Sequence, residues 1–371
     1  MKLAAAALGF ALVVGTIALA QTPAPTPSAV VADALRDTQA PALGVVVIRD
    51  GRIDPVSVRG VRRLGGAPIQ TGDRWNIGSD AKAMTATMVA RLVDRGALSW
   101  TTPLEQLLPE LAADMRPEYR DVTLLELLSH RAGLPENISD MTFFATFYED
   151  RRPLPLQRLA YLKRAVAEAP AGPARGEPSY SNTGLLLAAA AAERATGKSF
   201  ETLMQEEVFA PLGITTATYD QAVGDDEPAG HVDGRVAVRS DANPQMMMPA
   251  GGVRISLGDW AKFCLDQMKG EHGQGVLLKA ETYKVLHTPQ GDTRSGLGWG
   301  VGPKAMGRAG PALSHAGSDG NWYAVVVLYP NALGGVLAVA NAGEGMGADK
   351  VVMLVAKTLV PLVAPAAPVD Q

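Results

Sequence analysis

Apolar positions along the chain change their period several times, and the changes mark the elements. Leu43 to Ile48 is a short β-branched run, followed by Asp50-Gly51 and a second candidate strand near Val56 to Val61. A turn pair between two such runs predicts a β-hairpin. From Asp80 to Arg95 the spacing turns helical: Met84, Met88 and Leu92 recur every turn among alanines, and Gly96 stands where a helix C-cap belongs. Between Leu104 and about Gly213, further helical patterns at Leu124 to Leu128, Leu156 to Glu168 and Thr183 to Thr196 alternate with Pro and Gly punctuation. Ser256 then precedes the periodic stretch Leu257 to Met268 as an N-cap would. Strand patterns return at Gly296 to Val301, Tyr323 to Tyr329 and Val336 to Ala340, and Val351 to Leu359 closes the pattern as a helix.

Strands at both ends with helices between them predict one sheet built from both termini, into which a mostly helical region is inserted. The sheet is expected from about 30–78 and 250–360 and the helical region from about 100–240, with a cleft at their junction. Outside this body, Lys2 precedes an uncharged run from Leu3 to Leu19, and Ala18-Leu19-Ala20 supplies the small-x-small pattern of a cleavage site. Residues 1–20 therefore read as a signal peptide, and the mature chain as secreted or periplasmic. Cleavage leaves no stable membrane anchor; an uncleaved anchor is the alternative, because the run is nearly long enough to span a bilayer. Residues 21–29 read as a Pro-rich tether, residues 30–360 as the folded body, and the Ala-Pro-containing tail 361–371 as loose.

Composition narrows the chemistry. A formal charge of −4 argues against a nucleic-acid partner, and 47% hydrophobic with 19% charged residues is near the globular average. A single cysteine, Cys264, permits no internal disulfide, and the five histidines show no H-E-x-x-H or other short metal-ligand spacing. Neither a metal nor an organic cofactor is called for. No G-x-S-x-G elbow occurs, which disfavours an α/β-hydrolase.

Three short segments offer chemistry. Ser79 and Lys82 lie three apart at the start of a helix, so they share a face, and a lysine desolvated in a cleft can activate a serine hydroxyl. The plain alternative is a Ser cap followed by a solvated Lys. Tyr180-Ser181-Asn182 precedes the apolar helix near Thr183; its phenol can relay protons and Asn182 can meet both a lysine and a substrate amide, or else a half-buried Tyr precedes an Asn cap. His315-Ala316-Gly317-Ser318 lies before the Tyr323 strand. There Gly317 would allow close approach of substrate and the Ser318 amide could face an oxyanion, the alternative being a loop histidine stacked on an aromatic ring.

The order and context of these segments resemble the serine β-lactamase and penicillin-binding-protein superfamily, in its class C β-lactamase, D,D-peptidase and esterase branch. The likeness runs from about Val30 to Leu359 and includes Trp75 to Lys82, Gly96-Ala97-Leu98, Leu127-Leu128-Ser129-His130 with Gly133-Leu134-Pro135, and Pro249-Ala250-Gly251-Gly252. It implies an α+β fold: an antiparallel sheet from the N- and C-terminal segments, flanked by helices, with the helical region inserted. It also implies Ser79 as acylated nucleophile, Lys82 and Tyr180 as proton carriers, Asn182 as substrate orienter, and the amides of Ser79 and Ser318 as an oxyanion hole. His130 belongs to none of these motifs and is expected to be structural. The chain departs from the β-lactamase pattern at His315, where those enzymes usually carry Lys, and at Ala316, where they carry Thr or Ser. A histidine is mostly neutral at pH 7, so carboxylate anchoring should be weaker. The expectation is an exported serine hydrolase acting on a small-molecule or peptide ester or amide, an esterase or peptidase rather than an efficient β-lactamase. The alternative is a penicillin-recognising or cell-wall-sensing module without turnover.

Overall fold

The computed structural model describes residues 24–171, 173–220, 224 and 226–368, and the signal-peptide expectation for residues 1–20 lies outside them. In chain order the strands are β1 (Ala42–Arg49), β2 (Arg52–Ile53), β3 (Ser57–Gly60), β4 (Arg74–Asn76), β5 (His231–Val232), β6 (Arg235–Val236), β7 (Arg254–Ser256), β8 (Gly300–Ala305), β9 (Arg308–Ser318), β10 (Tyr323–Tyr329) and β11 (Gly334–Ala340). The main sheet runs β2-β1-β11-β10-β9-β8, with β3 also on β1, and its pairings are antiparallel. It is the α+β sheet expected from both ends of the chain.

Side chains alternate along β1, so its two faces serve two cores. Ala42, Val46 and Ile48 join the large core shared with the helical region. Leu43, Val45 and Val47 pack beneath the helices Pro27–Arg36 and Ala348–Leu359. Covering both faces explains why this strand reads as an unbroken apolar run. In the helical region, helix Asn182–Thr196 is buried on nearly every side, as its Leu-Leu-Leu-Ala-Ala-Ala-Ala-Ala stretch requires. No helix among the described residues is long and apolar enough to cross a membrane.

Four of the boundaries that differ from the sequence expectation have a clear local cause. The first helix begins at Pro27, inside the span read as tether, because Thr26 caps it and proline suits the first helical turn. The tail read as loose from Pro361 is held at its start: Val363 and Ala364 are buried, Ala309 N–H donates to Pro365 O (3.1 Å) and Ala367 N–H donates to Gly307 O (3.0 Å). The strand expected at Gly296 begins at Gly300; Gly298 instead takes φ +73° against the helix bearing Lys82, where an added Cβ would lie 2.7 Å from Lys82 O. The helix expected from Asp80 opens as a 3-10 turn, Gly78–Ala81, before the α-helix Lys82–Asp94.

Candidate active site

Ser79 sits on that 3-10 turn, directly after β4, and three restraints hold the turn. Ile77 N–H donates to Val253 O (3.1 Å), extending the β4–β7 pairing. Gly78 takes φ +50°, and its N–H donates to Asn76 Oδ1 (2.8 Å). The turn also lies against β9: an added Cβ would come within 2.5 Å of Ser318 N at Gly78, and within 2.2 Å of Ile77 O at Gly317. Gly317 was expected to leave room for substrate. The space its missing side chain vacates is filled by the Ser79 turn itself.

The expected residues converge. Lys82 Nζ donates to Ser79 Oγ (2.9 Å), Asn182 Oδ1 (2.8 Å) and Ala250 O (2.5 Å). Lys82 is fully buried, and loss of hydration outweighs the attraction of Glu136 and Asp80, bringing its amine down to about 7. Tyr180 O–H donates to the same Ser79 Oγ (2.8 Å), and its ring centroid lies 4.8 Å from Lys82 Nζ. Although 41% of Tyr180 is exposed, its hydroxyl is turned inward, and burial pushes the phenol up to about 12, so it stays protonated at pH 7. Ser181 Oγ, not Asn182, caps the following helix by accepting from Gly184 N–H (3.2 Å). That leaves the Asn182 amide free to face Lys82 and to donate to Asn137 Oδ1 (3.1 Å).

Two neutral histidines flank these groups. His130, at φ +59°, packs on Tyr180 with centroids 4.6 Å apart and accepts from Ser181 N–H through Nδ1 (3.1 Å). Burial and then Lys82 bring it down to about 3, so it props the Tyr180 loop as an uncharged ring. His315 stands in β9, opposite Val326, and not in the loop of the alternative reading. Its Nδ1 lies 2.9 Å from Ala316 O. A carbonyl can only accept, so Nδ1 bears the hydrogen and Nε2 the lone pair. Burial and then Lys82 hold His315 at about 4, neutral at pH 7.

Several residues here have no role in the sequence-based expectation. Asp80, between the expected nucleophile and base in sequence, is buried, and burial keeps its carboxyl well above the usual range. Asn76 Nδ2 donates to Asp319 Oδ2 (2.8 Å), while Asp319 Oδ1 accepts from Asn321 N–H (3.0 Å) and Trp322 N–H (3.1 Å). Burial raises Asp319 to about 6. This bridge joins the Ser79 turn to the end of β9 and borders a cavity of about 400 Å³ shared with Gly251, Arg254 and Trp322. Asn76→Ala should therefore free the Gly78 amide and orphan a buried carboxyl oxygen. The expected cost is roughly 2 kcal/mol of stability, read from the denaturant midpoint.

A profile of the Beta-lactamase family matches residues 28–360. The chain is 28% identical over 331 residues to penicillin-binding protein 4 of Amycolatopsis lactamdurans, spanning 85% of this chain and 84% of that protein. It is 25% identical over 267 residues to the D-alanyl-D-alanine-carboxypeptidase/endopeptidase AmpH of Escherichia coli strain K12, spanning 68% of this chain and 67% of that protein. Among solved structures, the octameric penicillin-binding protein homologue from Pyrococcus abyssi shares the fold, with a TM-score of 0.71 at 21% identity over 90% of this chain and 77% of that one.

Proposed function

Because the chain belongs to the beta-lactamase family, we propose that it is an exported serine hydrolase that opens ester or amide bonds through an acyl-enzyme on Ser79. The observation that supports this most directly is the shared Ser79 oxygen, met by the Lys82 amine at 2.9 Å and the Tyr180 hydroxyl at 2.8 Å. With Lys82 near 7, a substantial fraction of the amine is uncharged at neutral pH and can accept the Ser79 proton as Oγ attacks the carbonyl. The backbone amides of Ser79 and Ser318 serve the oxyanion, where each donor is worth about two to three powers of ten in rate. Tyr180, protonated in the resting site, passes its hydrogen to the departing group and recovers one from the Lys82 ammonium, and the amine so regenerated activates the deacylating water. Asn182 holds the amine and orients the substrate.

On the substrate side we favour an ester or peptide over a β-lactam. His315 puts a neutral ring, not a permanent cation, beside the site, so a β-lactam carboxylate meets no standing charge there. Export rests on the leader-like residues 1–20.

Intact-mass spectrometry after fluorophosphonate treatment tests the chemistry. One adduct per chain, mapped to Ser79, is expected, together with sustained ester turnover after any initial burst. An unlabelled Ser79 would overturn the hydrolase reading. One equivalent of product followed by arrest would replace it with a sensor that acylates without turnover.

A further inference from the structure

The acylation chemistry does not explain the placement of Asp80. It is 1% exposed, and neither carboxyl oxygen has a hydrogen-bond partner. An orphaned buried carboxyl costs free energy that alanine or serine at this position would avoid, so its presence asks for a reason. Across from it, His315 Nδ1 lies 3.8 Å from Asp80 Oδ1. That contact is too long for a hydrogen bond in the free site, and the ring hydrogen is meanwhile taken by Ala316 O. With Nδ1 occupied from behind, Nε2 is the ring atom left for a ligand.

We propose that Asp80 is a positioning residue that acts through His315: it stands behind the imidazole as the second oxygen for Nδ1, so that Nε2 can turn a proton toward a carboxylate on the substrate. Burial holds the Asp80 carboxyl well above the usual carboxylate range and the His315 ring at about 4, so each resists charge in this site. When a substrate carboxylate sits at Nε2, the better arrangement is the imidazolium between two carboxylates. The protonated Asp80 carboxyl gives up its O–H proton to solvent, solvent supplies the proton that forms the N–H bond at His315 Nε2 because Asp80 faces Nδ1, and the total charge of the pair stays zero. The site thereby acquires a cation only when an anion arrives, and Lys82 is spared a standing positive neighbour. The other titratable groups coupled to the ring are Lys82 and His130, and those coupled to Asp80 are Lys82, Tyr180, Cys264 and Tyr323. Among these, Asp80 is the acid within ion-pair distance of His315 Nδ1. The substrate class this selects is an ester or peptide with a free carboxylate, which rests on the acyl-enzyme reading above.

The test compares kcat/KM for two p-nitrophenyl esters, one neutral and one with a terminal carboxylate, between pH 5 and 8. Asp80→Asn keeps the shape and removes the charge. It should lower the preference for the carboxylate ester about tenfold, chiefly through KM, and flatten the pH dependence of that preference. In a His315→Ala background the same substitution should change the preference less than about twofold, since coupled residues do not add. Equal losses on both esters, or the same loss of preference without His315, would overturn the proposal. If the Asn variant fails to fold, Asp80→Ser runs the same cycle. Fluorophosphonate labelling of every variant separates the outcomes: a labelled Ser79 with unaltered preference refutes only the role of Asp80, whereas an unlabelled wild type refutes the hydrolase itself.

Discussion

Ser79→Ala is expected to lower kcat on p-nitrophenyl esters, nitrocefin and D-Ala-D-Ala peptides by on the order of 10⁵ to 10⁶, with little change in folding. Without Oγ there is no covalent intermediate, and what remains is the residual effect of binding and the amide donors on direct attack by water. The lost atom is also the one on which Lys82 and Tyr180 meet, so their contributions should vanish with it. Adding Tyr180→Phe to Ser79→Ala should then cost almost nothing further, although Tyr180→Phe alone is expected to cost about a hundredfold. Turnover by Ser79→Ala at the wild-type rate on all three substrates would remove the assignment.

Lys82→Met is expected to cost about three to four powers of ten in kcat, since it replaces the base by an apolar chain of similar length. The wild-type enzyme supplies its own control through pH. Its kcat/KM on a neutral ester should rise as pH passes about 7, where the buried amine gives up its proton. The residual activity of Lys82→Met should lack that limb. Stability carries the same signature with a definite sign. The folded amine sits near 7 and an unfolded one near 10.5, so between these values the unfolded chain binds more protons and wild-type stability gains with rising pH. Below pH 7 both forms are protonated and the contribution is flat. Urea midpoints from pH 6 to 10 should show this gain in wild type and not in Lys82→Met.

Elements whose apolar spacing and caps agree were legible in the sequence. Leu124–Leu128 is capped by Thr123, the Leu257 helix by Ser256, and Tyr323–Tyr329 is an uninterrupted strand run. β9 was not legible, because Arg308–Ser318 is assembled from small and polar residues. Where it meets the Ser79 turn, Gly317 leaves no space for a side chain, so the usual alternation is absent. The site divides in the same way. Ser79, Lys82, Tyr180 and Asn182 stand in short motifs with characteristic spacing. Asn76 and Asp319 are 243 residues apart, and nothing local to either marks them as a pair. Asp80 lay inside a recognised motif, at a position where only burial distinguishes an ordinary acidic residue from an orphaned one.

The arrangement of the sheet also constrains how the chain acquires its shape. β1 lies beside β11, and Ala42 N–H donates to Asn341 Oδ1 across 299 residues. On a ribosome the first strand therefore emerges long before its lasting neighbour exists, and its bare edge must be shielded until synthesis is nearly finished. Folding waits on closure of a very long loop, which makes it slow, and a chain cut short before β11 leaves β1 and β10 without the strand that joins them.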